Sequence, residues 1–167
     1  EYKDRVQKHK SIYKRAEKIH KDGKYLEAIK AYQDVLGSSL PDPEDLKGLS
    51  KRQISSIKDF LNDKQSAYEK QADAFYAKGE FKNAIQVLKK SIDINPENES
   101  IAVRINSILK ELSKQMQTIY QESILEEGVG EVEAAKVKWK KILEQSIPEE
   151  EYFKKAKLKL KKYGVIL

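Results

Sequence analysis

The chain has 167 residues, of which 39% are hydrophobic and 36% charged, a charge fraction above that of ordinary compact globules and suited to thin helical layers. The formal net charge is +6 and there is no cysteine, which excludes disulfides, thiolate metal sites and cysteine nucleophiles. No run of about 20 apolar residues is present, which excludes a membrane-spanning helix.

Apolar residues recur at helical spacing along the chain, and no stretch alternates for long enough to make a half-buried strand. Ile12, Ala16 and Ile19 form one stripe. Gly23 interrupts it, and Tyr25, Ala28, Ile29, Tyr32, Val35 and Leu36 form a second, giving a helical hairpin. Residues 38–43 read as a turn, with Asp42 before Pro43 as a helix start: the carboxylate caps free amides and proline needs no amide partner. Leu46, Leu49, Ile57, Phe60 and Ala72 flank a seven-residue recurrence of Ile54, Leu61, Tyr68 and Phe75. This predicts one long helix over about 43–78, or two nearly collinear ones, ended by Gly79. Phe81, Ala84, Ile85, Leu88, Ile92 and Ile94 predict a helix that stops at Asn95-Pro96. Ile101, Ile105, Ile108, Leu112, Met116 and Ile119 mark a helix of about 30 residues. Glu126 to Gly130 reads as a turn, and Val132, Ala135, Trp139, Ile142 and Leu143 line the next helix. Ser146 with Glu149 matches a capping box for a last helix carrying Tyr152, Phe153, Ala156, Leu158 or Leu160, and Tyr163. Gly164 ends it.

The run from Tyr68 to Pro96 resembles a tetratricopeptide repeat, a 34-residue helix–turn–helix with aromatic and small residues at fixed offsets. Tyr68 takes the first aromatic position, Ala72 the small contact position and Phe75 the aromatic before the turn; Gly79, Phe81, Ala84 and Pro96 follow in register. Gln71 stands where leucine is usual. A second copy covers about 9–42 through Ile12, Ala16, Ile19, Gly23, Tyr25, Ala28, Ile29 and Tyr32, with Leu40 at the terminal proline position. A third, near 116–147, matches through Val132, Ala135 and Trp139, while its first helix shows no signature. The resemblance implies an all-α fold of antiparallel helical hairpins, stacked as a short right-handed solenoid in one domain over 1–167. Its parts are repeat one (9–42), an inserted helix or helix extension (43–64), repeat two (65–98), a divergent repeat three (99–147) and a capping helix (148–163). Gly23, Gly79 and Gly130 are spaced wider than the family period, so the first helices are expected to be elongated. Their apolar stripes over 44–64 and 97–115 then need each other, or a partner, for cover.

In that family the concave face is lined by the first helix of each pair. The matching positions are Tyr13, Lys14, Glu17, His20 and Lys21 in repeat one, and Glu69, Lys70, Asp73 and Tyr76 in repeat two. A lysine–asparagine clamp for a peptide carboxylate is absent, because Tyr13 and Glu17, and Glu69 and Asp73, occupy its places. The mixed, partly acidic groove implies a basic or amphipathic protein or peptide partner, or another domain of the same parent chain. The segment from Trp139 to Gly164 is similar to the tail of bacterial multidomain signalling or gliding-motility proteins, some of which place such repeats after a forkhead-associated domain. The start at Glu1 without methionine reads as a segment of a longer protein. The expected compartment is the cytoplasm, with the periplasm as the alternative.

The sequence offers little for catalysis, and neither an enzyme activity, a cofactor nor a metal is expected. His9 and His20 lie about 16 Å apart by helix rise and are read as exposed. Gly128-Val129-Gly130 lacks the strand and third glycine of a phosphate loop. Glu126-Glu127 and Glu149 to Glu151 read as carboxylates favouring a helix dipole. Positive charge gathers at the ends: residues 1–24 carry nine Lys/Arg against four Asp/Glu, and residues 152–163 carry six lysines and no acid. With Tyr2, Tyr13, Tyr152 and Tyr163 nearby, stacking plus phosphate contact is a third reading, behind partner binding and self-association through the elongated helices. The oligomeric state is left open.

Overall fold

A computed structural model describes all residues 1–167. It contains seven helices and no strand: α1 Tyr2–Lys21, α2 Tyr25–Gly37, α3 Leu46–Ala77, α4 Phe81–Ile94, α5 Glu99–Gly128, α6 Val132–Gln145 and α7 Glu151–Lys162. Neighbouring helices pack in pairs. The chain divides into two compact units, 1–64 and 65–167. The long helix expected over 43–78 is one uninterrupted element, α3, and contributes residues to both units.

The turns α1/α2, α3/α4 and α5/α6 are the same device. Gly23, Gly79 and Gly130 have φ of +75°, +73° and +87°, the left-handed region that favours glycine. In each, the amide of the residue after the glycine donates to a carbonyl five positions upstream in the 6→1 pattern: Lys24 to Ile19, Glu80 to Phe75 and Glu131 to Glu126, at 3.2, 3.0 and 2.8 Å. The third turn is therefore confined to 129–131, with α5 continuing to Gly128, instead of occupying 126–130. Glu126 and Glu127 consequently lie in the last turn of α5, where the dipole disfavours them. Lys138 pairs with Glu126, and Lys159 meets Glu127 at 2.9 Å. These contacts raise both lysine pKa values, the hydrogen-bonded carboxylate being the main cause in each.

Counting from each glycine shows that the third hairpin keeps the register its sequence hid. Seven residues before stand Ala16, Ala72 and Ser123; five after stand Ala28, Ala84 and Ala135; nine after stand Tyr32, Leu88 and Trp139. All nine are buried. Small side chains at the first two offsets let the paired helices approach, and a large one at the third fills the space beside them. Ser123 serves as the small residue in α5 and donates its hydroxyl to the Tyr120 carbonyl. Ser50 and Ser91 are buried too, and their hydroxyls have no partner.

In the unit 1–64 the buried residues include Ala16, Ala28, Tyr32, Val35, Ile57 and Leu61, and the rings of Tyr25 and Phe60 meet at 4.9 Å. The first half of α3 thus covers its apolar stripe against α1 and α2. In the unit 65–167 the corresponding stripe of α5, Ile101, Ile108 and Leu112, belongs to one core with Ile85, Leu88, Trp139, Ala156 and Leu160. Both expected extensions find their cover among the helices of their own unit.

Helix starts differ from the sequence expectation in two places. Asp42 does cap α3, but across a 3-residue gap: its carboxylate accepts from Leu46 N at 2.7 Å and Lys47 N at 2.9 Å, so the helix starts at Leu46 and not at Pro43. The intervening Asp45 has φ +53°. Burial pushes the Asp42 carboxyl up, but the two amides and the adjacent His9 outweigh it and hold the group below its ordinary range. Asp42→Ala is expected to cost about 1–2 kcal/mol in urea unfolding at neutral pH. A lowered folded value means that this contribution is complete above the unfolded value of about 4 and drains away as pH falls through the folded one. The stability difference between wild type and variant should therefore close on acidification; a constant difference would refute the assignment. At the last helix the cap is Glu150, not the Ser146–Glu149 pair. Glu150 accepts from Tyr152 N and Phe153 N at 3.0 and 2.9 Å, and Ser146 donates to it at 2.9 Å. Glu149 instead pairs with Lys89 at 2.7 Å.

Candidate functional site

The residues expected to line a groove fall in both units: five on α1 in the first, four on α3 in the second. On α1, Lys14 and Lys21 are exposed and Glu17 is partly so. Tyr13 is not a groove residue: it is buried, its ring 5.8 Å from that of Tyr32. A phenol long enough to reach across the hairpin is drawn into the apolar seam. Burial, followed by the charge of Glu17, raises its pKa, and burial with Tyr13 and Glu17 pushes Tyr32 up to about 12. His20 is half-buried, edge-on to Tyr25 at 6.0 Å and Tyr32 at 6.1 Å, and with Tyr25, Ser56, Ile57 and Phe60 it lines a small cleft of about 220 Å³.

His9 is also not exposed. It is fully covered, with Nδ1 3.2 Å from the Ser38 hydroxyl and Nε2 3.7 Å from the Asp42 carboxylate. It continues the buried stripe of Tyr13 and Ala16 one turn towards the N-terminus, and it ties α1 to the loop that caps α3.

On α3, Lys70 and Asp73 are exposed, Glu69 is partly covered and Tyr76 is 38% exposed. Two of these are already engaged. Arg104 of α5 pairs with Asp73, and the Tyr76 hydroxyl donates to Glu111 of α5 at 2.9 Å. That hydrogen bond, then burial, raises the Tyr76 pKa. Arg104 and Glu111 are members of this face that sequence reasoning missed. They are more than 30 residues from their partners, and no local pattern marks them. The Tyr76 ring packs on Phe81 at 5.3 Å. Phe81, Leu112 and Ile119 form the apolar lining of a cleft of about 640 Å³ whose polar lining includes Lys78, Asn83 and Gln115. That volume lies in the range of ligand-binding clefts. Lys82, at the same cleft, donates to the Glu144 carbonyl at 2.9 Å.

The face can therefore present alternating charges, one tyrosine and an adjoining half-apolar cleft. No three His, Asp or Glu side chains are grouped to hold a metal ion, and no helix is long and apolar enough to cross a membrane. No family model, curated protein or solved structure matches the chain.

Proposed function

We propose that the chain is a tetratricopeptide-like, non-catalytic module that binds a protein or peptide partner along the exposed faces of its first helices. The observation that carries this reading is the common register of the three hairpins, with small residues at 16, 72 and 123 and at 28, 84 and 135 buried at the helix crossings. A scaffold whose interior is set by crossings leaves its outer helix faces free to vary for recognition. The conspicuous carboxylates support a non-catalytic reading, since Glu126 and Glu127 face lysines and Glu150 caps a helix. We further propose a place within a larger multidomain chain of the bacterial signalling or motility type. The partner would be basic or amphipathic, laid as a helix against the α1 residues of the first unit or, separately, against the α3 residues of the second.

The test is capture of binding proteins on the whole chain and on two surface variants, Glu17→Lys with Lys21→Glu, and Lys70→Glu with Tyr76→Ala. Circular dichroism checks that each stays folded. A reproducible partner is expected to bind wild type and lose roughly tenfold in affinity to at least one variant, a change of about 1.4 kcal/mol. Equal binding by all three chains would refute the assignment of this face.

A further inference from the structure

The six lysines of the last helix divide into two sets. Lys155, Lys159 and Lys162 turn towards the chain's own carboxylates, Glu151 and Glu127. Lys154, Lys157 and Lys161 are exposed and make no ion pair. They stand at i, i+3 and i+7, so they share one face of α7. Leu158 lies between them and is 68% exposed, while Ala156 and Leu160 on the other side are buried.

From this we propose that the outer face of α7 is a docking surface for an acidic amphipathic helix, independent of the α1 and α3 residues discussed above. The three ammonium groups form a comb about 10 Å long at helical pitch, matched by carboxylates one and two turns apart on a second helix. Leu158 sets the choice among anionic partners. It needs an apolar counterpart, which a carboxylate-bearing helix with a leucine seam supplies and a phosphate backbone does not. Base stacking is also denied, because the nearby aromatic rings are spent on each other: Trp139 stacks on Tyr163 at 5.7 Å and Tyr120 meets Tyr152 at 5.5 Å. A lipid surface would require a broad apolar face on α7, and that face is turned into the core. A second copy of the chain, itself at net +6, is repelled.

The experiment is fluorescence anisotropy of a labelled synthetic helix bearing glutamates at i, i+4 and i+7 beside a leucine seam, titrated with the full chain. A single-stranded oligonucleotide and phosphatidylserine-containing vesicles are run in parallel. The acidic helix is expected to bind at low ionic strength and to weaken roughly tenfold as salt is raised through the physiological range. The triple reversal K154E/K157E/K161E is expected to abolish binding, and L158S to weaken it about fivefold. The matched reversal K3E/K8E/K18E on α1 changes net charge equally and should leave binding near wild type. The proposal is overturned if K154E/K157E/K161E binds as wild type does, if the α1 reversal is as damaging, if L158S has no effect, or if oligonucleotide or vesicles bind more tightly through the same lysines.

Discussion

Trp139→Ala is expected to destabilise the chain by about 3–5 kcal/mol, the largest effect of any single truncation here. The indole is fully buried at the inter-helix position of the third hairpin. It stacks on Tyr163 with an interplanar angle of 16° and belongs to a core to which α4, α5, α6 and α7 contribute together with Ala72 of α3. Removing it leaves a cavity that the surrounding helices must close around, and each is held by its own turns. Its Nε1 has no hydrogen-bond partner, so the loss is one of packing, and Trp139→Phe should recover a large part of it. Urea unfolding followed by helical circular dichroism measures both. A loss below about 1 kcal/mol for the alanine variant would place the ring outside the core.

Glu150→Ala is expected to cost about 3 kcal/mol, combining the loss of a helix cap with stranded polar groups. The carboxylate is 2% exposed and accepts from two backbone amides and from the hydroxyls of Ser146 and Ser113. Alanine leaves Ser146 covered and unpaired and the first amides of α7 without an acceptor. Its neighbour is the internal control. Glu149 makes an exposed ion pair with Lys89, and such pairs contribute from nothing to about 1 kcal/mol; hydrogen bonding to Lys89, ahead of a backbone amide, lowers the Glu149 pKa. The same urea series should therefore separate the two variants clearly. Equal losses would mean that the cap is shared, or that it belongs to Glu149.

These two residues also show where sequence reasoning reaches and where it stops. The first two hairpins were legible because their apolar stripes, turn glycines and crossing alanines all follow the 3.6-residue period. The third hairpin was half legible. Trp139 and Ala135 declare its second helix and Met116 stands on the apolar stripe of α5, but Ser123 at the crossing is polar, and only a count back from Gly130 places it. The cap of α7 stands at Glu150, four residues after the Ser146 that the capping-box spacing selects, because local spacing does not show which carboxylate the chain path brings to the free amides. Residue type reads His9 as exposed and the family resemblance reads Tyr13 as a groove residue, whereas their spacing of four and three residues along the stripe ending at Ala16 is the signal that turns both inward. The candidate face was less legible still: Asp73 and Tyr76 were found, but Arg104 and Glu111, which engage them, come from a distant helix.

The unpartnered hydroxyls of Ser50 and Ser91 have a practical use in a chain without cysteine. A thiol is nearly the shape of a hydroxyl and far less demanding of a hydrogen bond, so Ser50→Cys and Ser91→Cys each place a single covered nucleophile at a helix contact. Its rate of alkylation then acts as a clock for local opening, and one clock sits in each of the two units. The breathing of one set of helices can be timed without any signal from the other.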